Sequence, residues 1–276
     1  TQGVSSAASD VYKRQMQAYF EWMPVRATNP SEQGHLYRSL TFGDLVELTM
    51  MDLRTYRDEQ VRFGPRKMAA EGRTMLGSEQ YNWLLNKIET SSAKWNMLGN
   101  SVMFSPMNLA TLQQDDKTKP VSSSLSSNIT GIPVNGDQWD GYSAERRLLI
   151  DALSKHDSHT LFVTGDIHSE WAHNISKDGR IFGAEMVCAS VSAPNVNEQL
   201  KLPEGNELSK LAERYLMGAN PHTRHVDLDH HGYSFVTVRP DSAEMHWLRV
   251  DNLLTAKSPV REAVTMTWRP GEGYSK

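Results

Sequence analysis

The feature that most constrains this chain is the stretch Leu161-Phe162-Val163-Thr164-Gly165-Asp166-Ile167-His168. A short run of β-branched and aromatic residues reads as a buried strand. It ends in a glycine and then presents a carboxylate and an imidazole two residues apart. Side chains alternate along a strand, so Asp166 and His168 leave it on one side if the chain stays extended. Open α/β sheets place ligands beyond the carboxyl ends of their strands, and Asp with His suits a hard or borderline metal. The plainer alternative is a polar turn in which Asp166 caps backbone N–H groups.

A second strand end carries similar chemistry. Leu36 to Thr41 and Leu45 to Met51 flank Phe42-Gly43-Asp44, which predicts a hairpin with a short turn. Its second strand delivers Asp52, followed by Arg54 and Arg57. Guanidinium forks match phosphate oxygens, whereas a surface Asp–Arg pair is common and contributes little.

Helical spacing appears at Ser78 to Glu89 (Tyr81, Leu84, Leu85, Ile88), with Ser78 as the expected cap. It recurs after Ser143 (Leu148, Leu149, Ala152, Leu153) and over Leu208 to Leu216 (Leu208, Leu211, Ala212, Tyr215). Trp95 to Phe104 reads as a buried strand interrupted near Gly99. Leu112 to Val134 is a long polar loop, and Gly232 to Val238 pairs with Glu244 to Val250 across Pro240-Asp241. The mixed order predicts an α/β sandwich with antiparallel edges.

The chain has 276 residues, and its net charge of −4 announces no nucleic-acid-binding surface. No apolar run is long enough for a transmembrane span, and Thr1 to Gln15 has no signal-peptide core. Cys188, without a second cysteine, forms no internal disulfide and reads as a packed thiol. His222, His225, His230 and His231 match no closed zinc spacing and read as surface imidazoles, with room for one of them to line the site. Asp10-Val11-Tyr12-Lys13-Arg14-Gln15 resembles a translated sequencing adapter, so residues 1–15 are expected to be a non-native or disordered tail and 16–276 the domain.

Taken together, the segments resemble the PhoD-like alkaline phosphatases. The match runs in order through Ala18-Tyr19-Phe20-Glu21-Trp22-Met23-Pro24, Tyr37-Arg38-Ser39, Phe42-Gly43-Asp44-Leu45, Asp52-Leu53-Arg54-Thr55-Tyr56-Arg57-Asp58 and Thr74-Met75-Leu76-Gly77. It continues through Trp95-Asn96-Met97-Leu98-Gly99-Asn100, Trp139-Asp140-Gly141-Tyr142, Thr164-Gly165-Asp166-Ile167-His168 and Asn220-Pro221-His222. The resemblance implies a metallophosphoesterase-like α/β sandwich flanked by helices. It implies hydrolysis of phosphate mono- and diesters with calcium and iron or another divalent metal, in an exported (periplasmic or secreted) protein. Carried over by position, Asp166 and His168 are metal ligands, with Asp52 beside them. Arg54 grips the phosphate, and Asn220 and His222 lie at the substrate side. The family's earlier metal segments, a Gly-Asp-Phe-x-Tyr-like strand end and a Trp-Asp-Asp-His-Glu run, have no counterpart here. The fold is therefore expected to be incomplete at its N-terminus and activity impaired. The alternative is a catalytically silent domain with at most a weak divalent-metal site.

Overall fold

A computed structural model describes residues 14–25, 35–61, 64–111, 131–133 and 135–275. The chain divides into two compact units, Thr1–Arg38 and Ser39–Lys276. In the first, residues 14–22 are helical and the His35 ring stacks on Tyr37 at 3.7 Å. Residues 1–13 of the expected tail lie outside the described residues, as does 112–130, most of the expected long loop.

The second unit is built on a seven-stranded sheet in the order β1-β2-β3-β6-β8-β7-β9. Its strands are β1 (Arg38–Phe42), β2 (Val46–Met50), β3 (Trp95–Asn100), β6 (His159–Thr164), β7 (Glu170–Lys177), β8 (Arg180–Val187) and β9 (Thr223–Asp227). A small hairpin, β4 (Asn108–Thr111) with β5 (Gly131–Pro133), stands apart. Strands β2, β3, β6 and β8 run parallel, and β7 and β9 extend the sheet antiparallel. A second sheet orders β10 (Gly232–Arg239), β11 (Ser242–Val250), β12 (Val260–Arg269) and β13 (Gly273–Ser275). The expected hairpin across Pro240-Asp241 is β10–β11.

Alternation along the strands sorts residues to two cores. Leu98 of β3, Phe162 of β6 and Phe182 of β8 face α1 (Gly77–Thr90) and α2 (Ser143–Leu153), packing with Leu84, Ile88, Leu149 and Leu153. Trp95, Leu161, Ala184 and Met186 face the second sheet and meet Met245, Trp247, Met266 and Trp268. Two indole N–H groups also cross between the layers. Trp95 Nε1 donates to the Arg239 carbonyl at 2.7 Å and Trp247 Nε1 to the Val187 carbonyl at 3.0 Å. A buried tryptophan thus contributes its area without leaving a donor unpaired. A third helix, α3 (Glu207–Ala219), covers β9.

Several local expectations change. β3 runs straight through Gly99, where a Cβ would overlap the Met50 side chain, so the glycine permits close strand packing and does not interrupt. Neither Ser78 nor Ser143 caps its helix: the first helical residues are Gly77 and Ser143, and neither preceding residue makes a side-chain cap. Thr74 Oγ1 instead accepts from the Gly77 N–H at 2.7 Å. Leu148 is exposed, whereas Glu145 is buried and accepts from Thr74 Oγ1, Met75 N and Leu76 N. On α3 the expected face holds only at Ala212, which packs beside buried Leu216 and Ala219, while Leu208, Leu211 and Tyr215 are exposed.

Candidate active site

The carboxyl ends of the four parallel strands lie along one edge, and two of them, β2 and β6, lead to Asp52 and to Gly165-Asp166. Past β2, Asp52 is buried, and its Oδ1 accepts from the backbone N–H groups of Arg54 (3.0 Å) and Thr55 (2.9 Å). This Asx turn is a local device that Asp favours, and it turns Arg54 outward. Gln80 on α1 anchors the same point, accepting from Asp52 N and donating to Asp52 O, each at 2.8 Å. Asp52 Oδ2 is buried without a hydrogen-bond partner.

Past β6 the chain does not stay extended. Asp166 and His168 both adopt left-handed conformations, with φ of 73° and 56°. The Ile167 N–H bonds back to the Gly165 carbonyl at 3.0 Å, closing a three-residue turn. Such conformations cost about 1 kcal/mol or more in a non-glycine residue and concentrate at functional sites, although Asp tolerates them better than most. His168 Nδ1 lies 3.0 Å from the Pro194 carbonyl. A carbonyl only accepts, so Nδ1 donates to it, and in the neutral form of the ring the lone pair lies on Nε2, where a ligand can take it.

The two strand ends meet. Arg54 Nη2 is 3.4 Å from Asp166 Oδ1, joining residues 112 positions apart in sequence. Arg54 Nη1 is 2.9 Å from Asp137 Oδ1, and Arg57 Nη1 reaches the same oxygen at 2.9 Å and the Asp137 carbonyl at 3.0 Å. The expected pairing of Asp52 with Arg54 and Arg57 is therefore replaced by pairing with Asp137. That residue went unnoticed in the sequence because it lies in an aperiodic loop; its only signal is proximity to Trp139-Asp140-Gly141-Tyr142, which forms a buried 3-10 turn leading into α2. Below this rim, buried Glu185 accepts from Phe104 N (2.7 Å), Ser105 N (2.8 Å) and Thr164 Oγ1 (2.8 Å). Burial pushes its pKa up against those hydrogen bonds. Asn100 donates to Thr164 Oγ1 and accepts from Trp139 Nε1, both at 3.0 Å.

The family model of the PhoD-like phosphatases matches residues 3–247. The chain belongs to the PhoD-like phosphatase family. It is 33% identical over 240 residues to alkaline phosphatase D of Bacillus subtilis (strain 168), covering 81% of this chain and 36% of that protein. The solved structure of PhoD superposes with a TM-score of 0.74 at 25% identity, covering 94% of this chain and 47% of that one. The chain thus spans between a third and a half of the length of these relatives.

Other family positions sit elsewhere in this PhoD-like chain. Asn220 is buried at the end of α3 and is engaged within the fold, accepting from Asn108 N (2.9 Å) and donating to Asn108 O (3.0 Å) and Leu216 O (2.9 Å). His222 Nε2 meets the Pro106 carbonyl at 2.9 Å. Burial, with smaller contributions from Arg146 and Arg224, brings the His222 pKa down to about 4, so it is neutral at pH 7. The other tail histidines are engaged with acids: His225 with Glu170, His230 with Asp227, His231 with Glu198. They are not free surface imidazoles. Cys188 is half-buried just past β8, and burial raises its pKa. An open cavity of about 800 Å³ is lined by Pro194, Glu198, His231 and Leu254, and Arg54 and Asp166 do not line it.

The resemblance to the family implies a metal centre. Asp166 and the Nε2 of His168 are suitable ligands, and the orphaned Asp52 Oδ2 is a further candidate donor, past the end of β2. However, among the described residues no group of three or more His, Cys, Asp or Glu side chains is disposed to hold an ion. Calcium takes six to eight oxygens. The described residues therefore do not close an iron–calcium cluster. Among them, too, no helix is long and apolar enough to cross a membrane.

Proposed function

We propose that this chain forms the arginine- and Asp-x-His-bearing edge of a phosphate mono- or diester hydrolase of the PhoD type. The observation that carries the reading is the Arg54–Asp166 contact, which brings a guanidinium and a ligating loop to one strand-end edge. Arg54 neutralises the non-bridging oxygens of the phosphoryl group, whose charge spreads over those oxygens in the transition state. Asp166 and His168 are metal-facing residues, and Asp52 is the weaker third. Asn220 and His222 serve the substrate side by holding the 106–108 segment. Calcium and iron, and an exported location, rest on the family alone.

The open donor set supports a corollary: by itself the 276-residue chain turns over phosphate esters weakly or not at all. A second reading, a silent domain with one weak divalent site, draws on the same observation. Calorimetric titration with calcium and with ferric iron tests the site. Binding that disappears in both Asp166→Ala and His168→Ala supports their metal-facing role; a tight multi-ion site favours the hydrolase, and one weak site or none favours the silent domain. Heats indifferent to both substitutions remove Asp166 and His168 from it. Rapid hydrolysis of bis(p-nitrophenyl) phosphate by the unaltered chain overturns the corollary.

A further inference from the structure

We propose that Asp137 is a positioning residue for Arg54, and that a phosphate group enters by displacing Asp166, not Asp137, from that guanidinium. The proposal rests on the phosphate-binding reading of the site given above.

The two carboxylates on Arg54 are held very differently. Asp137 is braced from several sides. Its backbone N–H donates to Asn135 Oδ1 at 3.0 Å, its carbonyl accepts from Arg57, and its Oδ1 is shared between Arg54 and Arg57 at 2.9 Å each. The turn itself is crowded, since a Cβ on Gly136 would overlap the Val61 carbonyl. Arg57 is largely buried, so the shared oxygen ties the exposed Arg54 to a fixed point. Asp166, by contrast, meets Arg54 through a single 3.4 Å contact between two well-exposed groups, on a residue in a left-handed turn. Strong guanidinium–carboxylate bonds are shorter, about 2.7–2.9 Å. The long contact is the one an anion replaces.

Charge gives the same order. Two guanidinium groups face two carboxylates, so the resting cluster is neutral. Removing Asp166 from Arg54 leaves two positive groups against Asp137, which favours an incoming anion. If Asp137 were merely a nearby negative charge, deleting that charge would strengthen phosphate binding. If it positions Arg54, deletion weakens binding despite the more favourable field. The two cases differ in sign.

The test is calorimetric titration of the 276-residue chain with inorganic phosphate at fixed ionic strength, with circular dichroism as the fold check. Asp137→Asn is expected to weaken phosphate affinity about fivefold to tenfold, and Asp166→Asn to tighten it about threefold. Asp137→Glu keeps the charge, so it remains informative if the asparagine variant misfolds; it too weakens binding, because its carboxylate is displaced by one methylene. Tighter or unchanged binding in a folded Asp137 variant overturns the positioning role. Weaker or unchanged binding in Asp166→Asn overturns the displacement. Arg54→Ala is the control for the underlying reading. If it leaves phosphate binding unchanged, or if the unaltered chain binds no phosphate, the site reading falls and this inference with it. If Arg54→Ala abolishes binding while the folded Asp137 variants bind phosphate as tightly as the unaltered chain or more tightly, only this inference falls.

Discussion

Two sets of acid, arginine and histidine residues lie close together in this fold, one at the strand-end rim and one between the sheets. At the rim, Arg54 is 46% exposed, reaches two aspartates by single contacts, and neighbours a histidine with an uncommitted lone pair. Between the sheets, Glu170 is 1% exposed and takes Arg249 bidentately at 3.0 and 2.7 Å. Asp227 adds a 2.9 Å contact to Arg249, while His225 bonds Glu170 and His230 bonds Asp227. Burial opposes the charged form of Asp227, yet the His230 hydrogen bond and the Arg249 charge hold its pKa well below the usual range. The same residue types give a closed set that satisfies itself and an open set that leaves bonding capacity for a ligand.

The comparison breaks first on stability. Arg249→Ala strands Glu170 and Asp227 as buried charges and is expected to cost about 3–5 kcal/mol in denaturant unfolding. Arg54→Ala is expected to cost under about 1 kcal/mol, because exposed pairs contribute little. Similar losses at the two positions would erase the distinction between the sets.

Acid sharpens it next. The buried, neutral His222 has its pKa lowered from 6.5 to about 4. The unfolded state therefore takes up a proton there before the folded state does. Stability from this group is full above pH 6.5 and is lost as pH falls towards 4, by roughly 3 kcal/mol. His230, whose pKa is raised by Asp227 despite burial, acts with the opposite sign, retaining its contribution in acid and losing it as pH rises through its folded pKa. Subtracting unfolding curves of His222→Gln from those of the unaltered chain between about pH 7.5 and about pH 4.5 isolates the first effect. A pH-independent difference would show that His222 does not titrate as its burial implies.

Smaller effects follow at two backbone positions. Gly99→Ala crowds Met50 and is expected to lower stability by about 1–3 kcal/mol on thermal unfolding. Asp166→Gly relieves a left-handed aspartate but frees the unfolded chain, so its stability should stay within about 1 kcal/mol of the unaltered protein. A larger loss would assign Asp166 a structural duty like that of Asp227.

Strand ends were readable because an apolar run makes the next polar residue conspicuous: Asp52 and Asp166 stand out in this way. The hairpins were readable from Gly43-Asp44 and Pro240-Asp241. Helix faces were less so. Counting leucines on α3 selected Leu208 and Leu211, but the helix lies close against its neighbours through Ala212, Leu216 and Ala219, and smaller side chains give a weaker hydrophobic signal. Glu145 was hidden for a related reason, since its three donors come from a segment 69 to 71 residues away. Asp137 could not be found from pattern at all, because both of its arginine partners lie 80 or more positions upstream.

The indole bonds from Trp95 and Trp247 act as dowels between the layers. Sliding the small sheet by one residue would strand both donors in a dry interior, each costing about 1–3 kcal/mol. The platform beneath the strand ends is thereby pinned in register at two points, one from each sheet.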